Sequence, residues 1–387
     1  MTQKNILIVT ASIGSGHNKA ASAVGNELKR RYPADNINVV DFMSLETAYI
    51  NDLMKEIYFK MLELVPNLYE FLYKFTSGRL KGSSVQMLLA YFMKHNMVSL
   101  IKKYNADIII CTHPFPCAAA AYLKREKRFD VSLFTVITDF CLHQIWIYKN
   151  VDMYFVAHNG MKRQLIERGI NEKRIQVTGI PIHRVFSDTY DREMLLKKFD
   201  LSANMPIILI MGGGLGLGGI KYALEELEKL SLPMQILVVA GANLSLWSEV
   251  NCYITHSRHL IKVWGYSHNI NELMTVSSLL ISKPGALTIS EAMAKELPML
   301  LHAPIPGPES ENAAYLAEHG VAVWVQKKEA IGETVKELLT DKERLAWMKQ
   351  KAKVLKQPYA AKKIVDIITG YMDGHDDNSN CLSKYGH

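Results

Sequence analysis

Two kinds of apolar pattern alternate along the chain. The first is short, unbroken and rich in Ile, Val and Leu: Asn5–Thr10 (NILIVT), Asn38–Asp41, Ala106–Cys111 (ADIIIC), Val131–Thr138, Val151–Val156 and Ile175–Thr178. Short runs of this kind suit strands buried on both faces of a parallel sheet. The second recurs every three to four residues: His17–Tyr32 carries Ala20, Ala21, Ala23, Val24 and Leu28 along one side. Helices are also predicted over 48–103, 116–125 and 160–168. The alternation restarts near Ile207, with strands at 206–211, 235–240, 261–263, 279–281 and 299–302 and helices at 220–230, 270–276, 288–294 and 312–319. Strand and helix in strict alternation predict an α/β chain of two βαβ-built domains with parallel sheets. The expected division is 1–187 and 188–372, joined near 180–205. Pro358 is expected to bend a last helix, 359–372, so that it docks on the first domain, and the polar segment 373–387 is expected to be a disordered tail.

Composition narrows the class. The 387 residues are 49% hydrophobic and 21% charged, which excludes a mostly disordered chain, a collagen-like fibre and a disulfide miniprotein. Five cysteines without a CxxC pair read as reduced thiols in a cytoplasmic protein. The run Ile6–Ala11 is too short for a signal-peptide core, and no run reaches the roughly 18 apolar residues of a membrane span. Any membrane role is therefore expected to be peripheral, on the inner face.

Charge is unevenly placed. Residues 1–187 hold 24 Lys/Arg and 15 Asp/Glu, or +9, and the remainder holds 21 and 23, or −2, which together make the net +7. Within the first half, residues 54–103 hold eight basic residues and three acidic ones, interleaved with Tyr58-Phe59, Phe71-Leu72-Tyr73 and Tyr91-Phe92-Met93. That pattern suits an interfacial helix on anionic lipid, and equally two ordinary amphipathic helices with one packed face. No RNP, KH or zinc-finger signature points to nucleic acid.

Four loops carry candidate chemistry. Gly14-Ser15-Gly16-His17 joins the first strand to the first helix. It is neither a Rossmann fingerprint nor a Walker A loop. His17 there either caps the helix or projects into the crevice at the strand ends, where a near-neutral imidazole suits a general base. Six glycines fill the eight positions 212–219, and either let a diphosphate approach the backbone or form a flexible crossover. Ser282–Ala292 (SKPGALTISEA) reads as a turn followed by a capping box, with Thr288 starting a helix and Glu291 three residues on. A second polar loop, 304–312, feeds the next helix. Two helix N-termini facing one crevice would cradle a nucleotide sugar, a carboxylate gripping ribose hydroxyls and backbone amides meeting phosphates.

The GxGH loop stands in order with Thr138–Trp146 (TDFxxHxxW), Thr178–Pro181 (TGIP), Val263–Tyr266 (VxGY), Lys283–Ala292 (KPGxLTxSEA) and Pro306–Asn312 (PGxExEN). Together these motifs resemble glycosyltransferase family 28, in the branch that glycosylates diacylglycerol. The resemblance implies a GT-B fold, two Rossmann-like domains facing a central crevice. It also implies inverting transfer of glucose or galactose from a UDP-sugar to diacylglycerol without a metal cofactor. Acceptors such as a polyprenyl diphosphate, or UDP-sugar sensing without turnover, are the alternatives. By resemblance, His17 is the catalytic base and Asp139 orients it. Gly14, Gly16, His143 and Trp146 lie on the acceptor side. Gly265 and Tyr266 contact uracil. Gly213, Gly214, Lys283, Gly285, Thr288 and Glu291 cradle phosphate and ribose, and Glu309 and Asn312 contact sugar hydroxyls. At Pro308 the family usually carries Gln, so one side-chain amide of the usual sugar contact is absent.

Overall fold

Strand β1 (Asn5–Thr10) stands inside a six-stranded sheet with β2 (Asn36–Asp41), β3 (Ile108–Cys111), β4 (Ser132–Val136), β5 (Met153–Val156) and β6 (Ile175–Val177). All pairings are parallel and the order is β2-β1-β3-β4-β5-β6. In this computed structural model the described residues are 3–12, 15–44, 79–214, 216, 219–305 and 307–382. A second parallel sheet follows: β7 (Ile207–Met211), β8 (Gln235–Val239), β9 (Leu260–Trp264), β10 (Leu279–Ser282), β11 (Met299–Leu301) and β12 (Ala322–Trp324), in the order β12-β11-β10-β7-β8-β9.

The unbroken apolar runs are unbroken because both faces of each sheet are covered. Leu7, Val9, Ile109 and Cys111 point into one layer, and Ile6, Ile8, Ile108 and Ile110 into the other. The helices of the first half are α1 (Ser15–Arg31), α2 (Arg79–Tyr104), α3 (Pro114–Arg125) and α4 (Asn159–Glu167). In α2, Ala90, Met93, Met97, Leu100 and Ile101 are buried at helical spacing while Lys102 and Lys103 stay exposed, so this stretch of the basic segment is a packed amphipathic helix. Residues 54–78 of that segment, and Gly14, lie outside the described residues.

The helices of the second half are α5 (Arg192–Lys198), α6 (Ile220–Glu228), α7 (Leu244–Ile254), α8 (Ile270–Val276), α9 (Ala286–Ala294), α10 (Pro308–Glu318), α11 (Ile331–Thr340) and α12 (Lys342–Leu355). The last helix, α13 (Ala360–Leu382), crosses back to the first sheet. Its Ile364, Val365 and Ile368 join the layer of Ile6, Ile8, Phe134 and Phe155, and Asp366 pairs with Arg31 of α1. The helix continues to Leu382 and so includes the first ten residues of the expected disordered tail.

Each sheet has one place where the strand order reverses. In the first it lies between β1 and β3, and in the second between β7 and β10. Ligands of open α/β sheets bind outside the strand C-termini at such reversals. The loops leaving β1, β3, β7 and β10 all line one cavity of about 390 Å³, between the two halves.

Candidate active site

His17 lies in the first turn of α1, on the β1 side of the first reversal. Its Nδ1 is 3.0 Å from the carbonyl oxygen of Thr112, at the end of β3, and 2.7 Å from the Thr138 hydroxyl beyond β4. A carbonyl can only accept, so Nδ1 carries the proton and Nε2 keeps its lone pair. The Thr112 hydroxyl donates back to the His17 carbonyl at 3.2 Å. Burial lowers the His17 pKa to about 4, against the opposing pull of the Thr112 carbonyl, so the ring is neutral at physiological pH. His113 stands edge-on to it, ring centres 4.6 Å apart. The His113 Nδ1 accepts from the Phe115 amide and caps α3. His17 is thus bonded to Thr112 and Thr138, while Asp139 accepts from Asn312.

Three residues expected on the acceptor side stand at the same cavity. Gly16, His143 and Trp146 line the cavity with His113, Phe115 and Ile145. The His143 Nδ1 accepts from the Ile145 amide, capping the short turn that carries Trp146. His113 and Thr112 were readable in sequence only as a strand end and a breaker. Their signal was a polar Thr-His stop immediately after an all-apolar parallel strand.

The second reversal supplies the opposite wall. Gly213 and Gly214 leave β7, and Gly285 caps α9. Gly213 has φ +71°, which favours glycine. A Cβ on Gly241, at the end of β8, would stand 2.7 Å from the carbonyl oxygens of Gly213 and Gly214, so the glycine loop lies directly on neighbouring backbone. Tyr266 is 57% exposed and borders the cavity, whereas Gly265 stands behind it, near the Gly241 carbonyl.

Glu291 departs from the capping-box expectation. Helix α9 begins at Ala286 with Gly285 as its N-cap and no side-chain cap bond, so Thr288 is already inside the first turn. Freed from capping, Glu291 is 3% exposed and borders the cavity, and its carboxylate makes no hydrogen bond to another described residue. Burial raises its pKa to about 7, with Lys19 pulling it back down.

Lys283 and Glu309 meet each other: the Lys283 ammonium pairs with Glu309, whose other oxygen accepts from the Ile305 amide at 2.9 Å. Asn312, expected at a sugar hydroxyl, is not among the residues that line the cavity. It is fully buried, accepting from the Phe140 amide at 2.9 Å and donating to the Pro284 carbonyl at 3.2 Å and to Asp139 at 3.5 Å. Its amide thus joins the first half to the second. Burial raises the Asp139 pKa to about 7, partly offset by that bond from Asn312.

The arrangement can do two things at once. A neutral imidazole with a bare Nε2 can take a proton on one side. Helix N-termini, glycine amides and a buried carboxylate can hold a phosphate-bearing, hydroxyl-rich ligand on the other. Among the described residues no three His, Cys, Asp or Glu side chains converge to hold a metal ion, and no helix is long and apolar enough to cross a membrane.

Comparison with known proteins places this geometry in a family. A model of monogalactosyldiacylglycerol (MGDG) synthase matches residues 17–182, and the glycosyltransferase family 28 C-terminal domain matches 207–364. The chain is similar to a processive diacylglycerol beta-glucosyltransferase of Bacillus cytotoxicus, with 36% identity over 94% of this chain and 92% of that protein. A Bacillus licheniformis protein of the same name is 33% identical over 95% of each. Among solved structures, Acinetobacter baumannii MurG is similar over 95% of this chain and 100% of that one, with TM-score 0.59 and 17% identity. Staphylococcus aureus MnaA, in a UDP co-structure, is similar over 96% and 97%, with TM-score 0.63 and 14% identity. The fold is the GT-B arrangement.

Proposed function

The chain belongs to the monogalactosyldiacylglycerol synthase family, with a glycosyltransferase family 28 C-terminal domain, and from that premise we infer the reaction its crevice performs. It is a diacylglycerol glycosyltransferase that makes glycolipid from a UDP-sugar. The relatives are named for glucose, for a β product and for repeated transfer, and all three are carried to this chain as part of the proposal.

The single observation that carries the assignment of roles is the shared cavity: the His17 ring and the Glu291 carboxylate border it from opposite halves. The diacylglycerol hydroxyl enters from the side of His113, Phe115, Ile145 and Trp146. Its proton passes to His17 Nε2 while its oxygen bonds to C1 of the hexose. The C1–O bond to UDP breaks with its electron pair, on the face opposite the attack, so the α-linked donor yields a β-linked product. The departing diphosphate is held by the N-terminus of α9 and the amides of Gly213 and Gly214, groups already oriented before charge develops. Glu291 accepts from ribose hydroxyls and Tyr266 lies against uracil.

The acceptor reaches the crevice from a membrane, and the basic first half is the surface that docks there. That docking should favour anionic over neutral vesicles at low salt and weaken as ionic strength passes the physiological range, where the Debye length is about 8 Å. Equal sedimentation with both vesicle types would remove the docking surface from the proposal. The reaction itself is tested with labelled UDP-glucose or UDP-galactose and diacylglycerol vesicles, followed by chromatography of the lipid. Hydrolysis to free sugar with no labelled lipid would reject the acceptor, and binding of UDP without any turnover would reject the enzyme.

A further inference from the structure

Among the described residues, five charged ones line the cavity: Lys19, Asp139, Lys283, Glu291 and Glu309. Acids outnumber bases, and Lys283 is already paired with Glu309. A diphosphate adds further negative charge to a space whose remaining lysine is Lys19. That lysine comes from α1 of the first half. It sits two residues beyond His17, which on an α-helix turns its side chain about 200° away. His17 therefore faces β3 while Lys19 faces the second half.

Three observations place Lys19 at the donor wall. The first turn of α1 touches that wall at two points: a Cβ on Gly214 would stand 2.7 Å from Ser15 Oγ, and one on Gly16 would stand 3.8 Å from Leu287 of α9. The Lys19 ammonium lies 6.0 Å from the centre of the Tyr266 ring, at the outer edge of a cation–π contact. Its charge is felt at Glu291. The Lys19 ammonium has no hydrogen bond or ion pair to another described residue, and only its long contact with the Tyr266 ring competes with a ligand.

We propose that Lys19 is a donor-binding residue supplied by the acceptor half, its ammonium contacting the diphosphate of the bound UDP-sugar. The proposal rests on the UDP-sugar reading of the crevice. Within that reading it makes the donor site a joint structure: the second half alone offers amides and one paired lysine, and α1 brings the unpaired cation. The same short helix then carries both the base and the charge that holds the leaving group.

Calorimetry on the full chain tests this with uridine, UMP and UDP as separate probes, for the wild type, Lys19→Met and Lys19→Arg. Met keeps the side-chain length and removes the charge. A charge-assisted contact to phosphate predicts that Lys19→Met weakens UDP about 10- to 150-fold, weakens UMP less and leaves uridine unchanged. Lys19→Arg should keep most of the UDP affinity. Unchanged UDP affinity in Lys19→Met overturns the proposal. An equal loss for uridine and UDP overturns it too, because the lysine would then serve the nucleoside through Glu291 or Tyr266. A loss in Lys19→Met that Arg does not restore also counts against it. Failure of the wild-type chain to bind UDP at all would instead reject the underlying reading of the crevice.

Discussion

The two halves present the same device, a parallel sheet whose strand order reverses, and fill it with opposite chemistry. At the β1/β3 reversal the strand ends carry His17, Thr112 and His113, with Thr138 close by. At the β7/β10 reversal they carry glycines, a Pro-Gly turn and, one helix turn on, Glu291. In the proposed reaction the first set takes a proton and needs a fixed lone pair, while the second binds a charged, hydroxylated group and needs exposed backbone amides and one acceptor. Identical topology thus dictates where a ligand sits, and the residues after each strand decide what is done to it. If the division is right, damage to one reversal should leave the function of the other intact.

The sharpest way to break that division is His17→Ala. Loss of the base should lower turnover about 100- to 10,000-fold while calorimetric UDP affinity stays near wild type. A parallel collapse of both would show that the two reversals are not separable. Glu291→Gln comes next. It should weaken UDP about 10- to 150-fold at pH 8 and leave the slow chemical step nearly untouched. The acid dependence carries its own sign. The ionised carboxylate accepts from ribose more strongly than the neutral acid, and its pKa is raised to about 7. Wild-type UDP affinity should therefore fall as pH drops from 8 to 6, and Glu291→Gln should flatten that slope.

Much of this was legible in the chain itself, for reasons that can be named. Short all-apolar runs can only be doubly covered strands, so β1, β3, β7 and β10 stand close to their expected places. β12 was not among the expected strands, although it lies in the unbroken apolar run Val321–Val325. Helix α9 starts earlier than Thr288 because the Pro284-Gly285 turn already begins the helix, and Thr-x-x-Glu reads the same whether or not it caps. His17, Trp146, Gly285 and Glu291 could be found by motif. Thr112 and Thr138, which aim the base, and Asn312, which joins the halves, could not. Thr112 and Thr138 lie 95 and 121 positions from His17, and Phe140 lies 172 from Asn312. Only the strand order brings such positions together.

Asn312→Ala probes that joint. It leaves the Phe140 amide and the Pro284 carbonyl without their buried partner, at a cost of about 1–3 kcal/mol in urea unfolding. A sugar contact at Asn312 would instead raise the donor KM with unfolding unchanged, so the pair of measurements separates the two roles. The smallest effect belongs to Thr138→Val. Removing one hydroxyl at 2.7 Å from Nδ1 should lower turnover about 2- to 10-fold and spare UDP binding, since the Thr112 carbonyl still holds the ring.

Helix α13 has a consequence for how the molecule is made. Its apolar side closes the layer formed by Ile6, Ile8, Phe134 and Phe155, so the first sheet is finished by a helix translated after the whole second sheet. At about 5–20 residues per second, the stretch from Val177 at the end of β6 to Ile368 takes roughly 10–40 s to synthesise. Through that interval the nascent first half carries an uncovered apolar face, while the second half's layer of Ile208, Ile210, Ile236 and Val238 can close once Met348 has emerged. Birth order and completion order are therefore reversed. A premature stop after Leu355 should strand the half that was translated first, and it is that half which chaperones would have to shelter.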